Sequence, residues 1–526
     1  MISGYWIPVL HSHLPFVKHP QHDYFLEEHW LFEAITECYI PLLRNCQRLY
    51  EEGIDFRFTT SVTPPLAEML ADRNLMEKYE KHLEKQIELG YKEIERTKND
   101  MVFSEIAHFY TNFYEETRDF FHGFLNRNVL NGYRFFNDLG KIEVITCGAT
   151  HGYLPLLSIN EKAVKVQIEV AVKAHTKHFG KAPRGIWLPE CAYYDGLDII
   201  LKENGIEFFF VDSHALIYGE PTANYGVYAP TYTPHAIAAF ARDAQSAKQV
   251  WSSKEGYPGD FNYRDFYRDI GYDLDDEYIK DYIDPDGTRV FTGFKYHKVT
   301  GTTNYKEVYQ PETAWQKTVE HAKDFHFNRA KQFEHLGAYM DRTPMIVSPY
   351  DAELFGHWWF EGPHFLYNLF KEIDTHKVFK AVTPSEYLMM YPKNQVVNPS
   401  PSSWGDQGYY DVWLNGSNAW IYRHLHAMAD EMCELAYRYK NGAQFNTYRA
   451  LNQMVRELLL AQSSDWAFLM TTKTAVEYSV QRTKEHISNF NALKGMIESG
   501  EIDFSRLEEL EYKNSIFNFI DYKIYT

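Results

Sequence analysis

The chain has 526 residues, 45% of them hydrophobic and 24% charged, the balance of a soluble globular protein long enough for two or three domains. Acidic residues outnumber basic ones 72 to 53. The resulting net charge of −19 opposes nucleic acid or an anionic membrane as the main partner and favours a neutral ligand. Aromatic residues reach 17%, with 40 Tyr, 36 Phe and 11 Trp; part of this is core, and part suits sugar rings, which are apolar on their C–H faces and polar at the rim. Five cysteines without CxxC spacing argue against a disulfide framework or a structural zinc site. The start "MISGYWIPVLHSHLPF" has no basic segment followed by a long apolar one, and no run is long enough to span a bilayer. A cytoplasmic location is therefore expected.

In chain order, "YWIPVLH" (5–11) reads as a strand. "WLFEAITECYIPLLRNCQRLYEEG" (30–53) has helical spacing, with Pro41 as a kink. "FRFTTSV" (56–62) is a strand again, and helical patterns fill 75–98 and much of 103–139. Further strands are predicted at 141–147, 184–190, 207–212, 289–296 and 344–351. This alternation predicts a parallel sheet with helical crossovers, closing into a β/α barrel over residues 1–395. Residues 213–288, rich in Tyr, Pro, Gly and Asp, are too long for an ordinary loop and read as a lid subdomain inserted over the barrel mouth. The segment "YPKNQVVNPSPSSWGDQGY" (391–409) reads as the domain boundary, and 396–526 as an all-α C-terminal domain.

β/α barrels gather their chemistry at the C-terminal ends of the strands. Here those ends carry His11 and His13, His151, Glu190, Asp212 with His214, and Asp351. Glu190 and Asp351 each sit among aromatics: Trp187 and Tyr193 for the first, Tyr350, Trp358 and Trp359 for the second. Two carboxyl groups across a sugar-sized gap are what glycosidic cleavage requires, and apolar surroundings keep one of them protonated at neutral pH. His11 and His13, two apart on a strand, point the same way. They either bind sugar hydroxyls as neutral imidazoles, share a divalent metal in a deacetylase-like site, or are buried structural residues.

The stretches "HSHLPF" (11–16), "GKIEVITCGATHGYLP" (140–155), "GIWLPECAY" (185–193), "SPYDAELFGHWWFEGP" (348–363) and "SSWGDQGYYDVWLNGSNAWIYRHLH" (402–426) resemble, in order, the five motifs of glycoside hydrolase family 57. Within it the chain looks like the 1,4-α-glucan branching enzymes. The resemblance implies an incomplete (β/α)7 barrel and a retaining mechanism without metal or other cofactor. Glu190 would be the nucleophile and Asp351 the general acid/base, acting on amylose- or glycogen-like α-glucan. His11, His13 and His151 would line the sugar subsite at the cut bond. Trp404 and Trp413 would stack on glucose rings, with a domain-interface plug as the other reading. Trp30 matches a cleft tryptophan or is core. Asp465 contacts substrate or makes an interhelical hydrogen bond. Arg264 binds substrate or forms a salt bridge within the insertion. Cys191 is a small packing residue.

Hydrolysis and transfer share one glycosyl-enzyme intermediate, and transfer needs a lid that excludes water. "YGVYAPTYTPHAIAAFARD" (225–243) resembles the branching-enzyme lid, with Tyr232 at its tip or as an ordinary exposed loop residue. An α-amylase or 4-α-glucanotransferase is the alternative activity. A non-catalytic glucan-binding scaffold is the third class.

Overall fold

Strand β1, Tyr5–Ser12, forms the centre of a parallel sheet because nearly every residue of YWIPVLHS is apolar and buried. A parallel sheet covered on both faces selects such unbroken runs over alternating ones. It pairs with β8 (Met345–Asp351) from Tyr5 to His11, with β9 (Lys380–Ala381) at Tyr5 and Trp6, and with β2 (Phe58–Val62) from Val9 onward. Pro8, which has no N–H to donate, therefore falls in the gap where β9 hands the edge over to β2. Beyond β2 lies β3, Ile142–Ile145.

A second sheet has the order β4 (Gly185–Ile186), β5 (Phe208–Val211), β7 (Ala238–Ala241), β6 (Thr231–Tyr232); all are parallel except β6. Two sets of backbone bonds join the sheets: Thr146 N to Gly185 O at 3.3 Å with Trp187 N to Thr146 O at 2.8 Å on one side, and Asp243 N to Val347 O at 2.9 Å on the other. The space between is filled by Ile7, Val9, Phe208, Phe210, Phe240 and Val347, with Trp187 above them. Five helices, from Trp420–Arg438 to Phe504–Lys513, make up the C-terminal region. This computed structural model describes residues 2–252 and 255–526; Met1, Ser253 and Lys254, the last two inside the expected insertion, lie outside the described residues. Among the described residues no helix is long and apolar enough to cross a membrane.

Two expectations need correction. Residues 289–296 pair in no strand ladder. Their extended backbone is tied down by one buried carboxylate, Asp269, which accepts from the backbone N–H groups of Thr292 and Gly293 and from the Thr292 hydroxyl at 2.7–2.9 Å. Residues 213–288 are not one insertion, because β6 and β7 lie in the second sheet and the interruption starts after them. The segment 391–409, expected as the domain boundary, is held along its length: Asn398 pairs with Glu220, Val397 with Tyr232 and Ser402 with Tyr193.

The predicted kink at Pro41 takes a definite form. Helix Glu28–Glu33 runs into a π-helical stretch, Ala34–Tyr39, before helix Ile40–Glu51. Pro41 cannot donate to the Glu37 carbonyl one turn back, which stays available on the helix surface. Gly356 packs against it so closely, at φ +117°, that a Cβ there would lie 1.8 Å from that oxygen. The Glu37 side chain is gripped end-on by Arg264, with Nη1–Oε1 at 3.0 Å and Nη2–Oε2 at 3.1 Å. The guanidinium lies 4.0 Å from the centroid of Phe360, and the Arg264 N–H donates to Glu361 at 3.0 Å.

Removing one partner of a buried ion pair strands the other charge. Arg264→Ala should therefore destabilise the fold by about 3–5 kcal/mol, read as a lowered thermal unfolding midpoint, and Glu37→Gln should partly relieve it in the double variant. An unshifted midpoint in Arg264→Ala contradicts this role.

Candidate active site

The parallel register sets His11 of β1 opposite Ser61 of β2. Because side chains alternate along a strand, His13 then faces Thr63, the next residue of like orientation. His11 Nδ1 lies 2.6 Å from Ser61 Oγ, and His13 Nδ1 lies 3.0 Å from Thr63 Oγ1. The third imidazole comes from the turn after β3, where His151 adopts a left-handed conformation (φ 57°). Its Nε2 is 3.0 Å from His11 Nε2, its ring stacks on His13 with 3.9 Å between centroids, and its Nδ1 is 2.8 Å from Ser464 Oγ. Burial, followed by the nearby imidazoles, lowers His11 and His151 well below the ordinary imidazole range, so both are neutral. His13 pairs instead with Asp465, 3.0 Å from Nε2. Burial pushes the Asp465 carboxyl up, but the His13 charge and hydrogen bond outweigh it and hold it at about 2.

Strand β4 ends early, and the chain then turns sharply through Pro189–Cys191. Glu190 (φ 61°) and Cys191 (φ 52°) are both left-handed there, an arrangement that swings the Glu190 carboxylate over the end of the sheet. The backbone of Trp404 fastens this turn by donating to the Glu190 carbonyl at 3.0 Å. The indole Nε1–H of the same residue donates to Oε2 at 2.7 Å, and Ser464 Oγ donates to Oε1 at 3.4 Å. Burial raises Glu190 to about 7 despite the Trp404 hydrogen bond, and the Asp351 and Asp465 charges push in the same direction.

Asp351 ends β8 in register with His11. Among the described residues no donor forms a hydrogen bond to its carboxyl group. Burial, with the Glu353 charge added, raises it to about 8. Glu353 stands behind it, accepting from Tyr39 Oη and from the His13 backbone N–H, and burial brings it to about 7. The two acids read from the sequence thus differ in their surroundings: Glu190 has two donors, Asp351 none.

The remaining expected residues divide. Trp404 stands at the centre, edge-on to Trp187 at 4.8 Å between centroids. Trp413 is 2% exposed and stacked on Tyr153 at 4.6 Å, which leaves its interface reading and no free face for a sugar ring. Arg264, 4% exposed, is committed to Glu37; its partner lies outside the insertion, where a salt bridge was the other expectation. Trp30 is partly buried with Tyr478 as its ring partner at 5.9 Å. Tyr232 is no lid tip. It pairs with Ala238 at the start of β7, its hydroxyl donates to Pro392 O at 3.3 Å, and it packs against the core between the two sheets. The start of β7 is the end of the sheet opposite Glu190. The candidate metal-donor groups among the described residues are His11 with Cys147 and His151, and His13 with His151 and Asp465, so His11 and His13 do not fall in one group. Every ring nitrogen of His11 and His13 already has a hydrogen-bond partner.

Sequence reasoning passed over Ser464, Glu353, Ser61 and Thr63. The last two were findable from the alternation in "FTTSV" beside "HSH". Ser464 carried no signal, since it is delivered by a helix start far along the chain. Trp251, which ends helix Ala244–Trp251, also went unremarked and stands edge-on to Trp404 at 6.2 Å.

The model of glycosyl hydrolase family 57 matches residues 7–333, and that of the 1,4-alpha-glucan branching enzyme C-terminal domain matches residues 424–525. A curated 1,4-alpha-glucan branching enzyme of Thermococcus kodakarensis is 33% identical over 98% of this chain and 78% of its own. Among solved structures, an alpha-amylase of Thermotoga maritima superposes with a TM-score of 0.94 at 48% identity, covering 99% of both chains. A GH57-type branching enzyme of Pyrococcus horikoshii superposes at 0.89 with 35% identity, covering 100% of this chain and 97% of that one. With a family match over more than half its length and relatives aligned almost end to end, the chain belongs to glycosyl hydrolase family 57.

Proposed function

We propose that the protein is a retaining 1,4-α-glucan branching enzyme that cleaves an α-1,4 glucan and passes the segment to a 6-hydroxyl, forming an α-1,6 branch. Glu190 is the nucleophile: it attacks the anomeric carbon while Asp351 protonates the departing 4-oxygen, giving a glycosyl ester on Glu190. Asp351, now ionised, takes the proton of an acceptor's 6-hydroxyl, whose oxygen displaces Glu190 and restores both acids. Trp404 positions the nucleophile through Oε2, while the imidazole rings of His11, His13 and His151 line the glucosyl subsite and Asp465 meets a hydroxyl of the glucosyl unit. The scaffold is an incomplete (β/α)7 barrel within residues 1–395, supported by the bonds that join the two sheets, with 396–526 as its helical partner. The substrate is amylose- or glycogen-like glucan.

One observation carries this reading. The C-terminal region, whose family model is that of branching enzymes, places Ser464 on Glu190 and Asp465 on His13. An α-amylase is the second reading, favoured by the 48% identity to the Thermotoga maritima amylase and by Tyr232 lying away from the site. The two differ in whether sugar or water reaches the ester.

Incubating the protein with amylose and debranching the product separates them: new α-1,6 linkages exceeding new reducing ends are expected, and reducing ends alone would establish the amylase. Glu190→Gln should lower kcat by a factor on the order of 10³–10⁶; near-normal turnover removes Glu190 from the mechanism. Glu190 must be ionised and Asp351 protonated, so kcat/KM should fall below about 7 and again above about 8, a narrow bell. Asp351→Asn should abolish the alkaline limb along with most activity. A wild-type profile flat on its alkaline side contradicts the role given to Asp351.

A further inference from the structure

We propose that Ser464, His151, His11 and Ser61 form a single hydrogen-bond relay whose direction holds Glu190 as the carboxylate, making all four positioning residues for the nucleophile. The proposal rests on Glu190 being that nucleophile.

The chain of contacts is continuous. It runs from Glu190 Oε1 to Ser464 Oγ (3.4 Å), on to His151 Nδ1 (2.8 Å), from His151 Nε2 to His11 Nε2 (3.0 Å), and from His11 Nδ1 to Ser61 Oγ (2.6 Å). Each imidazole is neutral and carries one proton, so the contact between the two Nε2 atoms admits one donor and one acceptor. That constraint leaves just two directions for the whole relay. When Glu190 is ionised, Oε1 accepts from Ser464, and the Ser464 oxygen accepts from His151 Nδ1–H. His151 Nε2 is then bare and accepts from His11 Nε2–H, and the bare His11 Nδ1 accepts from Ser61. When Glu190 is protonated on Oε1, every link must reverse. The hydroxyls at Ser464 and Ser61 can turn, since each both donates and accepts.

The other groups around Glu190 cannot do this. Trp404 Nε1–H only donates, and it is fixed on Oε2. Asp351 faces Glu190 from β8, and its charge disfavours ionisation; Asp465 acts likewise from its helix but is taken up by His13 and Ser463, while the His13 charge acts in the opposite sense. The relay is thus the adjustable influence on Oε1. It also spans both regions of the chain, because Ser464 starts helix Ser464–Thr472 and its N–H donates to the His151 carbonyl at 3.0 Å.

The test is the pH profile of kcat/KM on amylose for wild type, Ser464→Ala, Ser464→Thr, Ser61→Ala and Glu190→Gln, with thermal melting to confirm folding. Losing the donor should raise the acid limb by about one pH unit in Ser464→Ala, and Ser464→Thr should restore it. Ser61→Ala, which touches neither Glu190 nor Ser464, should move the limb the same way by a smaller amount. If Ser61→Ala does not fold, Ser61→Cys, a weaker donor of similar size, must give the same direction of shift. Acid limbs that stay put, or a shift confined to Ser464→Ala, overturn the relay. An inactive Glu190→Gln beside unmoved limbs sinks the relay alone, whereas an active Glu190→Gln sinks the nucleophile and the relay together.

Discussion

The site depends on a pair of backbone clamps. His151 and Glu190 are non-glycine residues in the left-handed region, at φ 57° and 61°, a conformation that costs on the order of 1–3 kcal/mol each unless the surroundings impose it. Here the C-terminal region imposes it: the Ser464 N–H donates to the His151 carbonyl and the Trp404 N–H to the Glu190 carbonyl, both at 3.0 Å. The same two residues then place their side chains on the Glu190 carboxylate, Trp404 on Oε2 and Ser464 on Oε1. Backbone clamp and side-chain contact come from one residue in each case, so the geometry of Glu190 and its hydrogen bonds are coupled. A helical region that only covered the cleft would not produce this coupling.

From that constraint follows the separation of the two acids. Both are drawn upward by burial, but the C-terminal region lends donors to Glu190 and none to Asp351, so the second is the better proton store. The imidazole stack serves the same end. Three charged histidines stacked within a few ångströms would repel one another, and keeping His11 and His151 neutral avoids it. His13 is the one with a carboxylate partner: Asp465, whose charge opposes ionisation of Glu190, lies 3.0 Å from its Nε2.

How legible this was depended on whether a residue's role is local or acquired through a partner. The alternation of strands and helices, the acids at the tops of β4 and β8 and the paired histidines of β1 could be read because strand period and strand ends fix where such side chains point. Arg264 could not: nothing within "YRDFYRD" indicates that its partner is Glu37, on a π-helical stretch over two hundred residues earlier. Tyr232 was misplaced because an aromatic, proline-rich run looks the same whether it crosses the mouth or the floor of a sheet; only its pairing with the start of β7 decides. The run 289–296 has strand composition, yet Asp269 takes the N–H groups a ladder would have used. Trp413 shows the converse limit, since a tryptophan beside a site can be spent on the seam that builds it.

The corrected place of Tyr232 moves the question of water exclusion to other residues. What stands next to Trp404 is Trp251, at the end of the helix that follows β7, edge-on at 6.2 Å, and Trp404 is itself bound to Glu190. Trp251 and Trp404 together form an aromatic wall beside Glu190. Family membership alone therefore does not divide transferase from hydrolase, because the acids, the imidazoles and the clamps serve either outcome equally. Two relatives superpose on this chain with TM-scores of 0.94 and 0.89 and bear names for different reactions.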